Sequence, residues 1–381
     1  MELRVTIIST DFPPRTNLRW VQLISCLSRN IDIKAITLRI HKPSIEKVEV
    51  MSLIPKGFSK VKGKIPITML IYSFLMLYSS LNRSSDIIWI LHYNPLFVRI
   101  VEFICRLLDK PVVLDLDDPI SPLSVEQYEE VYGRWSPYKL PYLWLPRHLA
   151  QIFEASYIRT KNLHLVVTSP LIKRFFFRLG LSESRIHLIP TGVDLKKFKM
   201  TPLPEEPVII YSGTTVRRRI TLLAKAMEYV WLRIPEAQLI INGPINNLLR
   251  QLHAKNREKV ILTGFVPHDT LPAWISKARV CTYPDVVSLG GRFIEKFIEY
   301  MALGRPIVST NVVESWLIKA SNAGLITERN PEAFANAILR LLEDDDLARK
   351  LSKNARTFAE KFPLEKTCKM YLRLFHSICS R

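Results

Sequence analysis

Gly290 to Thr310, GGRFIEKFIEYMALGRPIVST, is the stretch on which the fold turns. Two glycines open a loop, and Phe293 to Leu303 has the apolar spacing of a helix with Lys296 and Glu299 one turn apart. Gly304, Arg305 and Pro306 stop that helix before an apolar strand, Ile307 to Ser309. Loop, helix, stop and strand make half of a βαβ unit. A glycine-opened loop running into a helix presents unpaired N–H groups and the positive end of the helix dipole, an arrangement that suits a phosphate group. Glu299 lies about two turns in, a depth better suited to a neutral hydroxyl pair such as a ribose than to the phosphates themselves. The plainer alternative is an amphipathic helix whose Lys296 and Glu299 are simply solvated.

On both sides of this stretch, short apolar runs alternate with helical patterns, which predicts parallel sheets covered on both faces. Val5 to Ser9, Ile33 to Thr37, Asp86 to Leu91, Val112 to Leu116 and Leu163 to Thr168 read as strands of a first Rossmann-like domain. Val208 to Ser212, Gln238 to Asn242, Val260 to Leu262, Val280 to Tyr283, Ile307 to Ser309 and Gly324 to Thr327 read as a second. Between the two series lies TPLPEEP, Thr201 to Pro207, with three prolines and two glutamates, the best linker in the chain. The expected organisation is therefore α/β, with domains at 1–200 and 201–363 and a last helix at 364–381.

A length of 381 residues accommodates two such domains, and 48% hydrophobic with 23% charged content is ordinary for a globular protein. Lys and Arg outnumber Asp and Glu by 54 to 35, a net charge of +19 that favours anionic partners: nucleoside diphosphates, acidic membrane surfaces or nucleic acid. Cys26, Cys105, Cys281, Cys368 and Cys379 are odd in number, widely spaced and without a CxxC pair, which reads as reduced thiols in a cytoplasmic protein and against a zinc site or disulfide framework. MELRVTIIST reads as a first strand, not a signal peptide.

Two parts of the first domain stand apart. Ile65 to Leu81 is seventeen residues without a charge, preceded by a segment with four lysines and no acid. It fits a buried Rossmann helix, a face resting on an anionic membrane, or a short span. Tyr128 to Tyr157 mixes tyrosines and tryptophans with cations, which suits an acceptor or membrane interface, single-stranded nucleic acid, or ordinary packing.

The segment Glu299-Tyr-Met-Ala-Leu-Gly304-Arg-Pro306 resembles the donor-binding element of family 4 glycosyltransferases, also called glycosyl transferases group 1. These are retaining enzymes of the GT-B fold, in which two Rossmann-like domains with parallel sheets face a central cleft. The family pattern has two glutamates eight residues apart; the second is Glu299 and the first falls on Gly291, while Lys296 to Ala302 matches a Lys-x-x-Glu-Tyr-Met-Ala form of the motif. RIHLIPTGVDLKKF, Arg185 to Phe198, resembles the family's exit from the first domain through Pro190, Gly192, Val193, Asp194 and Phe198, and is expected to be structural.

The resemblance implies further roles. In VIIYSGTTVRRR, Gly213 and Thr214 stand at the family's phosphate loop and Arg217 and Arg218 where it places a basic pair against the diphosphate; a solvated arginine run is the plainer reading. Gly243 ends the next strand, Phe265 and Val266 line the base pocket, and Gly291, Phe293, Ile294, Lys296 and Glu299 complete the donor site. In the first domain Asp11, Pro14 and Arg19 face the acceptor. Asp117, with Asp118 beside it, stands where many members carry a histidine near the reacting carbon. Acceptor positioning, helix capping and a divalent ion are the readings of these carboxylates, in that order.

The implied activity is transfer of a sugar, from UDP or GDP first among the candidates, to a hydroxyl of a lipid-linked or other glycan precursor. Asp117, Asp118, Arg218 and Lys296 are the catalytic candidates. The donor lies on the second domain and the acceptor on the first, and domain closure excludes water. No metal or other cofactor is expected, nucleic acid is not an expected partner, and the location is cytoplasmic, peripheral at the inner membrane face. A decayed donor site serving a basic membrane or nucleic-acid adaptor, or a sugar-nucleotide epimerase, are the rivals.

Overall fold

The computed structural model describes residues 3–12, 18–40, 45–52, 85–91, 95–116, 152, 156, 160, 162–215, 217–285 and 290–380. Pro14, Asp117, Asp118, Ile65 to Leu81 and nearly all of Tyr128 to Tyr157 lie outside the described residues. The chain divides into two compact units, Met1–Pro190 with Glu365–Arg381, and Thr191–Leu364.

The first unit is a seven-stranded parallel sheet in the order β3-β2-β1-β4-β5-β6-β7. Its strands are β1 Arg4–Phe12, β2 Asp32–Ile40, β3 Val48–Ser52, β4 Ile87–Ile90, β5 Val112–Leu116, β6 Leu163–Val167 and β7 Ile186–Leu188. Strand β4 reads IIWI and every residue is buried, as a central strand covered on both faces demands. Helix α1 (Leu18–Leu27) follows β1, α2 (Pro95–Leu107) follows β4 and α3 (Pro170–Arg178) follows β6. Ser169 caps α3 by accepting the Ile172 N–H, with Pro170 at the first helical position.

The second unit is a six-stranded parallel sheet in the order β10-β9-β8-β11-β12-β13. Here β8 is Val208–Ser212, β9 Gln238–Asn242, β10 Val260–Gly264, β11 Val280–Tyr283, β12 Ile307–Thr310 and β13 Gly324–Thr327. Helices α4 (Arg217–Arg233), α5 (Asn247–Lys255), α6 (Leu271–Ser276), α7 (Glu295–Ala302), α8 (Trp316–Ser321) and α9 (Pro331–Glu343) alternate with the strands, and α10 (Asp345–Ala359) follows. The order reverses between β8 and β11, and in such sheets the crevice beyond the strand C-termini at that point is where ligands bind. Arg305, fully buried just past α7, donates to the carbonyls of Thr201, Pro202, Ser276 and Leu303, so the linker prolines are pinned to this unit.

The expected α/β class with two parallel Rossmann-like sheets is what the structure has. Helix α11 (Leu364–Cys379) belongs to the first unit, where Tyr371 and Phe375 pack on Trp89 with ring centroids 5.3 and 5.5 Å away. One expectation is corrected: Cys26 on α1 and Cys368 on α11 are paired in a disulfide. They stand 342 residues apart and meet only because α11 returns to the first unit, so no spacing motif marks them. Cys105 and Cys281 are free and buried, and burial pushes the Cys105 thiol up to about 12. Among the described residues no helix is long and apolar enough to cross a membrane.

Candidate active site

Strands β8, β9 and β10 end side by side in glycine. Gly213 N–H donates to the Asn242 carbonyl at 2.8 Å, and Gly243 N–H donates to the Gly264 carbonyl at 2.9 Å. Gly213 sits at φ +130°, a conformation that L side chains rarely adopt, and a Cβ there would collide with the Lys296 ammonium. The backbone at the mouth of β8 is thus bare and in contact with the lysine of the helix motif. Thr214 and Arg217 are exposed beside it.

Lys296 projects from the first turn of α7 between the rings of Tyr211 and Tyr283, 5.2 and 5.4 Å from their centroids. Desolvation first, then the charges of Arg219 and Arg292, draws its ammonium down to about 7 against the opposing pull of Asp285 and Glu299. Arg218 and Arg219 turn inward instead. Arg218 Nε donates to Asp285 Oδ1 at 3.0 Å, Arg219 Nε donates to Oδ2 at 2.7 Å, and Tyr283 OH donates to Oδ2 at 3.2 Å. Burial alone would raise the fully buried Asp285, but Arg219 and Arg218 outweigh it and hold the carboxyl below its ordinary range.

The loop before α7 is shaped by a second buried carboxylate. Gly290 and Gly291 have φ +83° and +80°, and the Gly291 N–H donates to Glu314 Oε1 at 2.8 Å. A carboxylate that follows β12, Glu314, thus holds the backbone at the position where the family pattern has its first glutamate. Phe293 and Ile294 are buried in the core of this unit, Phe293 against Trp316 and Phe362, so packing accounts for both.

One turn beyond Lys296, Glu299 Oε1 meets His268 Nε2 at 2.6 Å, and the His268 ring packs on Phe198. The other ring nitrogen lies 3.1 Å from Lys197 Nζ, which also pairs with Asp269. Asp194 accepts the backbone N–H groups of Lys196 and Lys197, which orients that lysine. Val266 is half-buried, and Phe265 stands 76% exposed after β10, an aromatic face with an ordinary core reason excluded by its exposure.

The second unit thus brings Gly213, Gly243, Arg218, Lys296 and Glu299 onto the C-terminal edge of one sheet. In the first unit, Asp11 is in register with Arg39 between β1 and β2. Arg19 is buried on α1, where its guanidinium pairs with Asp115 at 3.2 Å and donates to Tyr371 OH at 2.9 Å. Asp285, Glu314 and His268 are the site residues whose role sequence reading missed. A carboxylate just after a strand, as in YPD, is the one signal that marks Asp285 in advance.

The family described as Glycosyl transferases group 1 matches residues 206–344. The alpha-D-kanosaminyltransferase of Streptomyces kanamyceticus is 28% identical over 161 residues, 40% of this chain and 41% of that protein. The D-inositol 3-phosphate glycosyltransferase of Xylanimonas cellulosilytica is 24% identical over 230 residues, 53% of this chain and 54% of its own length. The chain thus spans about half the length of the curated relatives it matches. Among solved structures, Anabaena HepE in complex with UDP and glucose superposes with a TM-score of 0.74 at 14% identity, covering 99% of this chain and 100% of HepE. The switch-point loop, the Glu299 motif and these likenesses agree: residues 206–344 match the glycosyl transferases group 1 family, and the chain has the two-Rossmann GT-B fold.

Proposed function

We propose that this chain is a retaining glycosyltransferase that moves a sugar from a nucleoside diphosphate sugar to an acceptor hydroxyl. The observation that carries the reading is the cluster at the end of β8, where Lys296, Arg218 and Arg219 surround one carboxylate, Asp285, beside the bare backbone of Gly213. A surplus of fixed cations at a switch point suits the charge that develops on a departing diphosphate. The exposed Phe265 and the half-buried Val266 suit the base, and Glu299 with His268 suits the ribose hydroxyls. UDP is the first candidate because the structural relative HepE is bound to it, with GDP second.

In the retaining reaction the acceptor hydroxyl attacks the anomeric carbon on the face the diphosphate leaves, and a donor phosphate oxygen takes its proton. In this scheme the protein supplies position and charge: Arg218 and Lys296 for the leaving group, and Asp11, Pro14, Asp117 and Asp118 as the acceptor-side candidates that the family resemblance implies. No metal or further cofactor enters this scheme. Arg19 serves it indirectly, since its guanidinium is committed to Asp115. A lipid-linked or other glycan precursor at the cytoplasmic face of a membrane is the acceptor that the charge of +19 favours.

The test is acceptor-free turnover of UDP- and GDP-sugars, with nucleotide release and the anomer of the product followed by NMR. Release with retained configuration is expected. Inverted product contradicts the retaining scheme, and no turnover with any base favours a second reading, a nucleotide-binding protein that has lost chemistry with the glutamate at position 291.

A further inference from the structure

Asp285, Glu299 and Glu314 each have a partner other than Lys296. Asp285 is taken by Arg218 and Arg219, Glu299 by His268, and Glu314 by the Gly291 N–H. Lys296 forms no hydrogen bond or ion pair among the described residues; its ammonium touches the π faces of Tyr211 and Tyr283 and the bare backbone of Gly213. A Cβ at 213 would also lie only 3.3 Å from Lys296 Cε, so the lysine tip fills the place of the missing side chain and points into the phosphate loop.

An ammonium held between two aromatic faces and near two guanidinium groups feels the opposing pull of Asp285 and Glu299 but pairs directly with neither, since both are engaged elsewhere. Two phosphates would supply that direct anionic partner. We propose that Lys296 is the anchor of the donor's diphosphate and that it takes up a proton when the diphosphate binds, so that donor affinity is set by the charge state of this one side chain. The inference rests on the donor reading above and adds to it which cation does the holding and that binding is proton-linked. Lys296 is then the direct contact, while Arg218 and Arg219, paired with Asp285, add their charge from behind it, and Arg217 stands exposed on the first turn of α4.

The charged and titratable groups facing Lys296 from the surrounding elements are Arg219 on α4, Asp285 after β11, Arg292 in the glycine loop, Glu299 on α7, and the tyrosines of β8 and β11. The arginines hold their charge throughout the working range, and burial raises the hydroxyls of Tyr211 and Tyr283, so both stay neutral there. Asp285 is held ionised by its arginines. With Lys296 drawn down to about 7, the free site exchanges its proton close to neutral pH, and an incoming diphosphate draws the proton back. The terminal phosphate of UDP itself titrates near pH 6, about one unit lower, so the arm at pH 8, where that phosphate is ionised, is the one that reads Lys296.

The experiment is calorimetric titration of the full chain with UDP, and with GDP in parallel, in HEPES and in Tris, whose heats of ionisation differ. At pH 8 the difference between buffers should report uptake of close to one proton, and at pH 6 of none through this lysine. Affinity should fall by about tenfold between pH 7.5 and 8.5. Lys296→Arg, which carries a permanent charge, should bind with no proton uptake and a flat profile over the same range. Lys296→Met should weaken binding about tenfold or more at pH 7 and also lie flat. Nucleotide binding with heats independent of buffer and pH overturns the role of Lys296 while leaving the donor reading standing. Binding of neither nucleotide at any pH overturns both.

Discussion

Asp115 in the first unit and Asp285 in the second are both fully buried aspartates at or near the C-terminal ends of parallel strands, and both are held by arginine and a tyrosine hydroxyl. Around Asp115 the described partners include the Arg19 guanidinium and the neutral donors Trp20 Nε1 and Tyr371 OH, and the cluster joins α1, β5 and α11. Around Asp285 two guanidinium groups share one carboxylate while a third cation, Lys296, stands beside them without an acid of its own. On the proposed function the first cluster is a lock and the second a receptacle, and the described cation without a direct acid partner is what distinguishes them.

Removing each aspartate probes that contrast with the largest effects. Asp115→Ala and Asp285→Ala each strand buried guanidinium charge, and each should cost about 3–5 kcal/mol in urea denaturation. A saturating nucleoside diphosphate should stabilise Asp115→Ala by the same amount as the wild type, and Asp285→Ala by a different amount, because only the second substitution alters the charge of the donor site. Equal stabilisation of both variants would erase the distinction between lock and receptacle.

Gly213→Ala combines a left-handed backbone with a collision against Lys296, and a loss of more than about 1 kcal/mol is expected together with weaker nucleotide binding. Wild-type stability at 213 would show that the lysine tip moves aside freely and that the contact is incidental.

Lys296→Met sharpens the comparison through pH. The unfolded lysine titrates near 10.5 and the folded one at about 7, so between those values the folded chain binds fewer protons than the unfolded chain. Stability relative to the methionine variant should therefore rise with pH from about 7 to 10 and be constant below 7, where the charged ammonium costs its full amount. A difference that is flat across this window would mean that the ammonium is solvated.

The smallest effect is expected at Phe265. Its ring is mostly exposed, so Phe265→Ala should change stability by less than about 0.5 kcal/mol while weakening nucleotide binding. Loss of stability without loss of binding would return it to ordinary packing.

The sheets were legible because a strand buried on both faces must be apolar throughout, as in IIWI of β4 and VIIYS of β8. Strand β3, VEVMS, escaped for the converse reason: it pairs only with β2 and alternates with charge, so its run never looks continuous. Within the site, Gly213, Lys296 and Glu299 could be read because the turn and the helix that place them are local. Asp285 and Glu314 could not be assigned partners, since those partners lie 67 and 23 residues away and are selected by the crossover topology. Arg218 and Arg219 look alike in an arginine run, and only the inward turn of α4 reveals that both serve an aspartate. The Cys26–Cys368 pair was hidden in the same way, by a chain that leaves the first unit after Pro190 and returns to it only with α11.

The most direct measurement is titration of the full chain with UDP, GDP, ADP and dTDP by calorimetry and thermal shift, with inorganic pyrophosphate as the phosphate-matched control. Saturable binding of one nucleotide, selective over the others and over pyrophosphate and weakened in Glu299→Ala, is the expected result and would name the base. Heats that scale only with phosphate charge, or the absence of binding by all four, would contradict a donor site at the mouth of β8.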